Sequence, residues 1–127
     1  QLGVPHHVHF LGQLEHPKLF PYYGAARVLV NTSKHEGYPK TFIEAFANGT
    51  PIVATATNGA QEVLEDSVTG FIVPLQNEHA LAEKLSLLLA DKERARLMGE
   101  RGRTFVRGLT TDTTEEVVGL WKSIVTS

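Results

Sequence analysis

Apolar positions along the chain fall into two regimes. Up to Pro74, short apolar runs alternate with polar stretches that carry Gly or Pro; beyond it, apolar residues recur at helical spacing only. Residues 8–11, in VHFLG, read as a short strand closed by Gly12. HPKLFPYYGAA reads as a short helix whose extent Pro21 limits, because proline is tolerated only in a first turn. RVLVN (27–31) holds a continuous apolar run with two β-branched valines, the mark of a buried strand. The stretch 32–40 is a loop holding Gly37 and Pro39, and 41–49 is a helix stopped at Gly49, a residue suited to C′. PIVAT (51–55) is the next buried strand, TNGAQEVLED a turn and short helix, and TGFIVP (69–74) a fourth strand.

Asn77 is the N-cap expected for a helix over 78–90, where Leu81, Leu85 and Leu88 share one stripe. Asp91 caps a helix over 92–106. Asp112 and Glu115 have capping-box spacing before a helix whose apolar face is Val117, Val118, Trp121, Ile124 and Val125. There is no internal repeat, linker or low-complexity tract. Strands alternating with helices predict the α/β class: a Rossmann-like parallel sheet covered on both faces, followed by an all-helical C-terminal segment. Such sheets bind ligands beyond the carboxyl ends of their strands. The candidate ligand edge is therefore the loops at 12–16, 32–40 and 56–60, and the second is the richest in polar residues and Gly.

Composition narrows this further. With 127 residues the chain makes one domain (1–127), and 42 % hydrophobic against 20 % charged residues supports a packed core over disorder. A net charge of −2 argues against a nucleic-acid partner. Absence of cysteine excludes disulfides, a thiol nucleophile and zinc–thiolate sites. No apolar run approaches the length of a membrane span. The chain starts with Gln rather than Met, as a piece of a longer protein would.

The chemistry concentrates in residues 33–55. The helix start at Lys40 and Thr41 presents free N–H groups and the positive end of a dipole, which suits a phosphate or diphosphate. Gly37 lets the backbone approach a ligand closely. Glu36 precedes it in the loop, and Glu44 shares a helix side with Thr41 and Asn48, which can face the same cleft. A carboxylate pairs well with a vicinal diol, which offers two O–H donors. Two carboxylates flanking an anion site therefore suit ribose, diphosphate and hexose in that order. Spacing alone leaves a second reading open, in which Glu36 is a loop charge and Glu44 lies on a solvated helix face.

EGYPKTFIEA, followed by NGTPIVAT, NGAQEV and TGFIVP, resembles the donor-binding domain of retaining GT-B glycosyltransferases of the family 4 type, also called group 1. The resemblance runs from about residue 3 to about residue 106, and Glu36 and Glu44 have the separation of that family's two glutamates. It implies that Glu36 hydrogen-bonds the donor hexose and that Gly37, Tyr38 and Pro39 line that sugar. The amides of Lys40 and Thr41 would cradle the diphosphate, and Glu44 would hold the ribose diol. Gly12, Gln13 and Leu14 would form the wall against the nucleobase. Asn58 and Gly59 resemble a Gly-rich turn, with Asn in place of the first Gly.

The implied reaction transfers a hexosyl group from a nucleoside-diphosphate sugar with retention, by a front-face route without an enzyme nucleophile. Catalysis then rests on holding the donor and stabilising charge on the diphosphate. No cofactor is expected beyond this substrate. Absence of Asp-x-Asp fits the metal independence of GT-B enzymes, and His7 and His9, on one face of a strand, would make a metal pair only with a third ligand. His35 and Lys34 adjoin the motif and read as solvated loop residues, with contact to a donor phosphate as the alternative; Tyr22, Tyr23 and Trp121 read as packing residues rather than sugar-stacking platforms. DKERARLMGERGR reads as a solvated helix face with i,i+4 pairing.

Two strand–helix units of the family's donor domain, with an Arg and a Lys that neutralise the diphosphate, are not matched, nor is its acceptor-binding domain. The expectation is a C-terminal part of one lobe, inactive alone, in an enzyme of polysaccharide or glycolipid biosynthesis. Its acceptor would be a carbohydrate or glycolipid bound by the N-terminal domain. The location implied is cytoplasmic, peripheral to the membrane in the complete enzyme. The alternative is a non-catalytic nucleotide-binding or assembly module of the same fold. Without the unmatched strands, the outer edge of 27–31 is expected to be covered by the 8–11 strand or by a second copy in a homodimer.

Overall fold

The computed structural model describes residues 7–12, 14, 16–35, 37 and 40–109. Its elements are α1 (His16–Ala25), β1 (Leu29–Asn31), α2 (Lys40–Ala47), β2 (Ile52–Thr55), α3 (Asn58–Val63), β3 (Gly70–Val73), α4 (Glu78–Ala90) and α5 (Lys92–Leu109). The three strands form one parallel sheet in the order β1-β2-β3, with Leu29 beside Ile52 and Ile52 beside Gly70. The α/β class and the parallel sheet are as the sequence predicts.

Period-two alternation divides the core between the two faces of the sheet. Ile52 and Ala54 point to one side, where they meet Phe42, Ile43 and Phe46 of α2, Val63 of α3 and Val106 of α5. Val53, Phe71 and Val73 point to the other, against Leu88 of α4 and Ala95 and Met98 of α5. Burial on both faces explains why the strands are continuous apolar runs.

The caps follow the sequence. Gly49 has φ +75° and ends α2: its N–H bonds the carbonyl of Phe46 at 2.9 Å, and the N–H of Thr50 bonds that of Ala45 at 2.9 Å. This pair of bonds is a Schellman motif, and the positive φ favours glycine there. Asn77 Oδ1 accepts from Ala80 N at 2.9 Å, and Asp91 Oδ1 from Arg94 N at 3.0 Å. Helix α5 lies close against α2, because a Cβ on Gly99 would collide with the carbonyl of Gly49 and one on Gly102 with the ring of Phe46.

Two expectations are corrected. Residues 8–11 are not a strand: they carry no regular structure, and Phe10 is 95 % exposed. An isolated extended segment gains nothing until it finds a neighbour to bond, and no strand among the described residues pairs with it. The outer edge of β1 therefore has no partner strand among the described residues. Helix α1 also runs through Pro21 rather than being confined by it. Its last turn is fastened elsewhere: Tyr23 is buried, its carbonyl accepts from Thr50 Oγ1 at 2.5 Å, and Ala26 N bonds the carbonyl of Tyr22 at 2.9 Å. The helix expected after Asp112 lies outside the described residues.

Candidate functional site

The carboxyl ends of β1 and β2 open toward the N-terminus of α2. After β1 the chain turns on a local bond from Ser33 N to Asn31 Oδ1, 3.1 Å long. Thr55, the last residue of β2, donates its hydroxyl to the carbonyl of Ser33 at 2.5 Å. Two neighbouring strand ends are thereby tied at the edge where the expected ligand loop begins. A hollow of about 140 Å³ runs beside them, with Thr32, Lys34, Thr55, Asn77 and Leu81 in its wall.

Helix α2 starts at Lys40, whose side chain is exposed, and Thr41, which is half-buried. Both sit where free amides of the first turn point outward. Gly37 is exposed, with nothing within 4 Å of the place a Cβ would occupy. Lys34 and His35 are exposed loop residues, as expected. Glu36, Tyr38 and Pro39 lie outside the described residues, as does Gln13. Gly12 is exposed with φ +71°, and Leu14 is half-buried.

Glu44 differs from both sequence readings of its surroundings. It is wholly buried, on a helix whose residues 42–47 are all buried, so it is neither a solvated face nor open to a cleft. The hydroxyl of Tyr23 hydrogen-bonds its side chain. Burial raises the Tyr23 phenol above its ordinary 10.0, and the Glu44 charge and hydrogen bond raise it further, to about 12. Tyr23 therefore stays protonated as a donor throughout the neutral range. Asn48 Nδ2 completes the local frame by donating to the backbone carbonyl of Glu44 at 2.9 Å.

Tyr23, which its sequence context marks as a packing residue, also has a polar role. The available signal was general: a buried tyrosine needs a partner for its hydroxyl. The role of Thr55 is not marked by its sequence context either, although a hydroxyl at the end of a buried strand is a candidate tether. Asn58 and Gly59 form the first turn of α3, capped by Thr57 Oγ1, which accepts from Ala60 N at 3.1 Å. Neither has a positive φ, so Asn58 replaces a Gly without strain. Among the described residues no group of three His, Cys, Asp or Glu is placed to hold a metal, and no helix is long and apolar enough to cross a membrane.

Comparison with known proteins gives this geometry a context. The family model described as "Glycosyl transferases group 1" matches residues 1–105. The chain is 32 % identical over 127 residues to D-inositol 3-phosphate glycosyltransferase from Corynebacterium urealyticum, covering 99 % of the chain and 30 % of that protein. It is 32 % identical over 111 residues to the GDP-mannose-dependent alpha-(1-6)-phosphatidylinositol monomannoside mannosyltransferase of Mycobacterium tuberculosis, covering 82 % of the chain and 29 % of that protein. The structure of sucrose-phosphate synthase from Thermosynechococcus elongatus superposes with a TM-score of 0.81 at 35 % identity, over 96 % of this chain and 31 % of that one. HepE of Anabaena, in complex with UDP and glucose, superposes with a TM-score of 0.76 at 23 % identity, over 97 % of this chain and 32 % of that one, and shares the fold. The chain thus spans about a third of the length of these proteins. With its parallel sheet, its helix layers and a family match that runs through every strand, the chain belongs to the group 1 glycosyl transferases, of GT-B fold.

Proposed function

We propose that this chain is the donor-binding part of a retaining, family 4 type glycosyltransferase, which takes a hexosyl group from a nucleoside-diphosphate sugar. The observation that carries the reading is the N-terminus of α2, set at the strand carboxyl ends with Glu44 one turn inside it. Helix-start amides and a dipole favour a diphosphate at Lys40 and Thr41, and a carboxylate beside them matches a ribose diol. Glu36, Gly37, Tyr38 and Pro39 take the donor hexose, and Gly12, Gln13 and Leu14 the nucleobase. Because Glu44 is buried, contact with a ribose requires the cover over its carboxylate to move on binding. That the HepE structure holds UDP and glucose supports a nucleotide sugar as the ligand class.

No cofactor is needed beyond that substrate. The acceptor is a carbohydrate or glycolipid, in keeping with a relative named for a phosphatidylinositol monomannoside, and it is bound by a separate domain. The enzyme works in the cytoplasm, peripheral to the membrane. A homodimer is part of the same reading.

Calorimetric titration of the 127-residue chain with UDP, GDP, ADP and their hexose conjugates tests the binding step. Saturable binding of one nucleoside diphosphate is expected, with 2′,3′-dideoxyribose analogues weaker. Absence of any binding, or indifference to the ribose hydroxyls, refutes the assignment.

A further inference from the structure

At the amino ends of β1 and β2, on the sheet edge opposite the candidate donor site, the surface is hollowed to about 390 Å³. Small residues make its floor, Gly49 and Ala95 among them, and Arg27, Lys92 and Arg96 stand in its walls against one carboxylate, Glu93. That carboxylate is already engaged. Arg96 grips it with two bonds, Nε to Oε2 at 3.1 Å and Nη2 to Oε1 at 2.6 Å. Arg27 is fixed by the backbone instead, its Nη1 donating to the carbonyl of Leu89 at 3.2 Å. Among the described residues neither Arg27 nor Lys92 forms an ion pair. Two positive charges thus line one hollow whose single carboxylate is held by Arg96, in a chain whose net charge is −2.

The arrangement runs against helix electrostatics. Lys92 is the first residue of α5, at the positive end of its dipole, where a cation is disfavoured. Arg96 lies four residues on, so two like charges share one helix face. Arg27 then arrives from a distant part of the chain to add a third. Such a breach of local preference without a structural return is expected where a residue serves binding rather than folding. An anion in the hollow would offset Arg27 and Lys92, which have no ion pair among the described residues.

We propose that this hollow binds a phosphate monoester dianion through Arg27 and Lys92, with the Glu93-held guanidinium of Arg96 as a third donor. The guanidinium fork of Arg27 suits two phosphate oxygens and the Lys92 ammonium a third. A volume of about 390 Å³ admits a small phosphorylated metabolite. The same chemistry is offered by the headgroup of a lipid that ends in a phosphate monoester. The inference is independent of the donor site, which uses the other edge of the sheet.

NMR titration of the 127-residue chain with inorganic phosphate and with glycerol phosphate, at ionic strength held constant with chloride, is the test. Saturable shifts are expected at the amides of Ala26, Gly49 and Lys92. Arg27→Gln and Lys92→Gln should each weaken phosphate about tenfold, while Arg101→Gln, outside the hollow, should change nothing. Thermal melts confirm that each variant is folded. Flotation with phosphatidylcholine vesicles, with and without phosphatidic acid, separates the sources. Vesicle binding that needs both phosphatidic acid and Lys92 assigns a lipid headgroup, and glycerol phosphate binding alone assigns a soluble ligand; either supports the site. Shifts that fail to saturate, that chloride reproduces, or that persist unchanged in both variants overturn it.

Discussion

The hydroxyl of Tyr23, in the last turn of α1, donates to the side chain of Glu44, one turn into α2, and both residues are buried. The pair joins the two helices, with Tyr23 as a buried side chain that α1 sends into the core. Its pH dependence has a definite sign. Tyr23 ionises near 12 in the folded chain against 10.0 when unfolded. Below pH 10 both states hold the proton and the contribution is fully present. As pH rises from 10 toward 12 the unfolded chain releases its proton first, and stability is lost. The loss amounts to roughly 2–3 kcal/mol. Urea denaturation across this range should show it in the parent protein and not in Tyr23→Phe; identical pH profiles would refute the pairing.

The contact of α5 with α2 yields a contrast within one helix. A Cβ on Gly99 has no room before the carbonyl of Gly49, whereas one on Gly108 meets nothing within 4 Å. Gly99→Ala should force the helices apart and cost roughly 1–3 kcal/mol. Gly108→Ala should gain up to about 0.5–1 kcal/mol from its better helix propensity. Denaturation midpoints of the two variants check the pair of opposite signs.

What the sequence disclosed and what it hid separate along a physical line. Gly49, Asn77 and Asp91 were legible because a cap depends on a few adjacent residues, and all three cap as expected. The runs at 52–55 and 70–73 were legible because burial on both faces leaves an unbroken apolar signal. Residues 8–11 carry a similar signal, broken by His9, and form no strand, because a strand's bonds come from a neighbour that no local pattern supplies. Glu44 was legible as a candidate but not as a buried one. Its surroundings depend on Tyr23, which lies 21 positions earlier and is brought to it through a helix that continues past Pro21. The tie from Thr55 to Ser33 is likewise a product of strand order rather than of spacing.

If the chain supplies donor binding alone, it transfers no sugar. It spans about a third of its relatives, and an acceptor must be held against the donor for front-face transfer. Product analysis with purified 127-residue protein, several nucleotide sugars and several acceptors should stay at blank levels. Sustained turnover would show that acceptor binding is present within these residues.

The two glutamates can be told apart by ligand. Glu44 is assigned to the ribose, which a nucleotide sugar and a free nucleoside diphosphate both contain, and Glu36 to the hexose, which only the former contains. Glu44→Gln should therefore weaken both ligands by a similar factor, and Glu36→Ala should weaken the nucleotide sugar alone. A hydrogen bond to a charged group is worth roughly 1.5–3 kcal/mol, so each loss is on the order of ten- to a hundredfold. The variants differ in their effect on folding. Glu44 is buried against Tyr23, but a glutamine keeps the shape and a carbonyl that accepts the phenol, so the cost should stay near 1 kcal/mol. Melting curves establish that the variants are folded before calorimetry compares the ligands. Equal weakening of both ligands by Glu36→Ala would reverse its assignment. Unchanged affinities in both variants would mean that Glu44 serves the α1–α2 contact and not the donor.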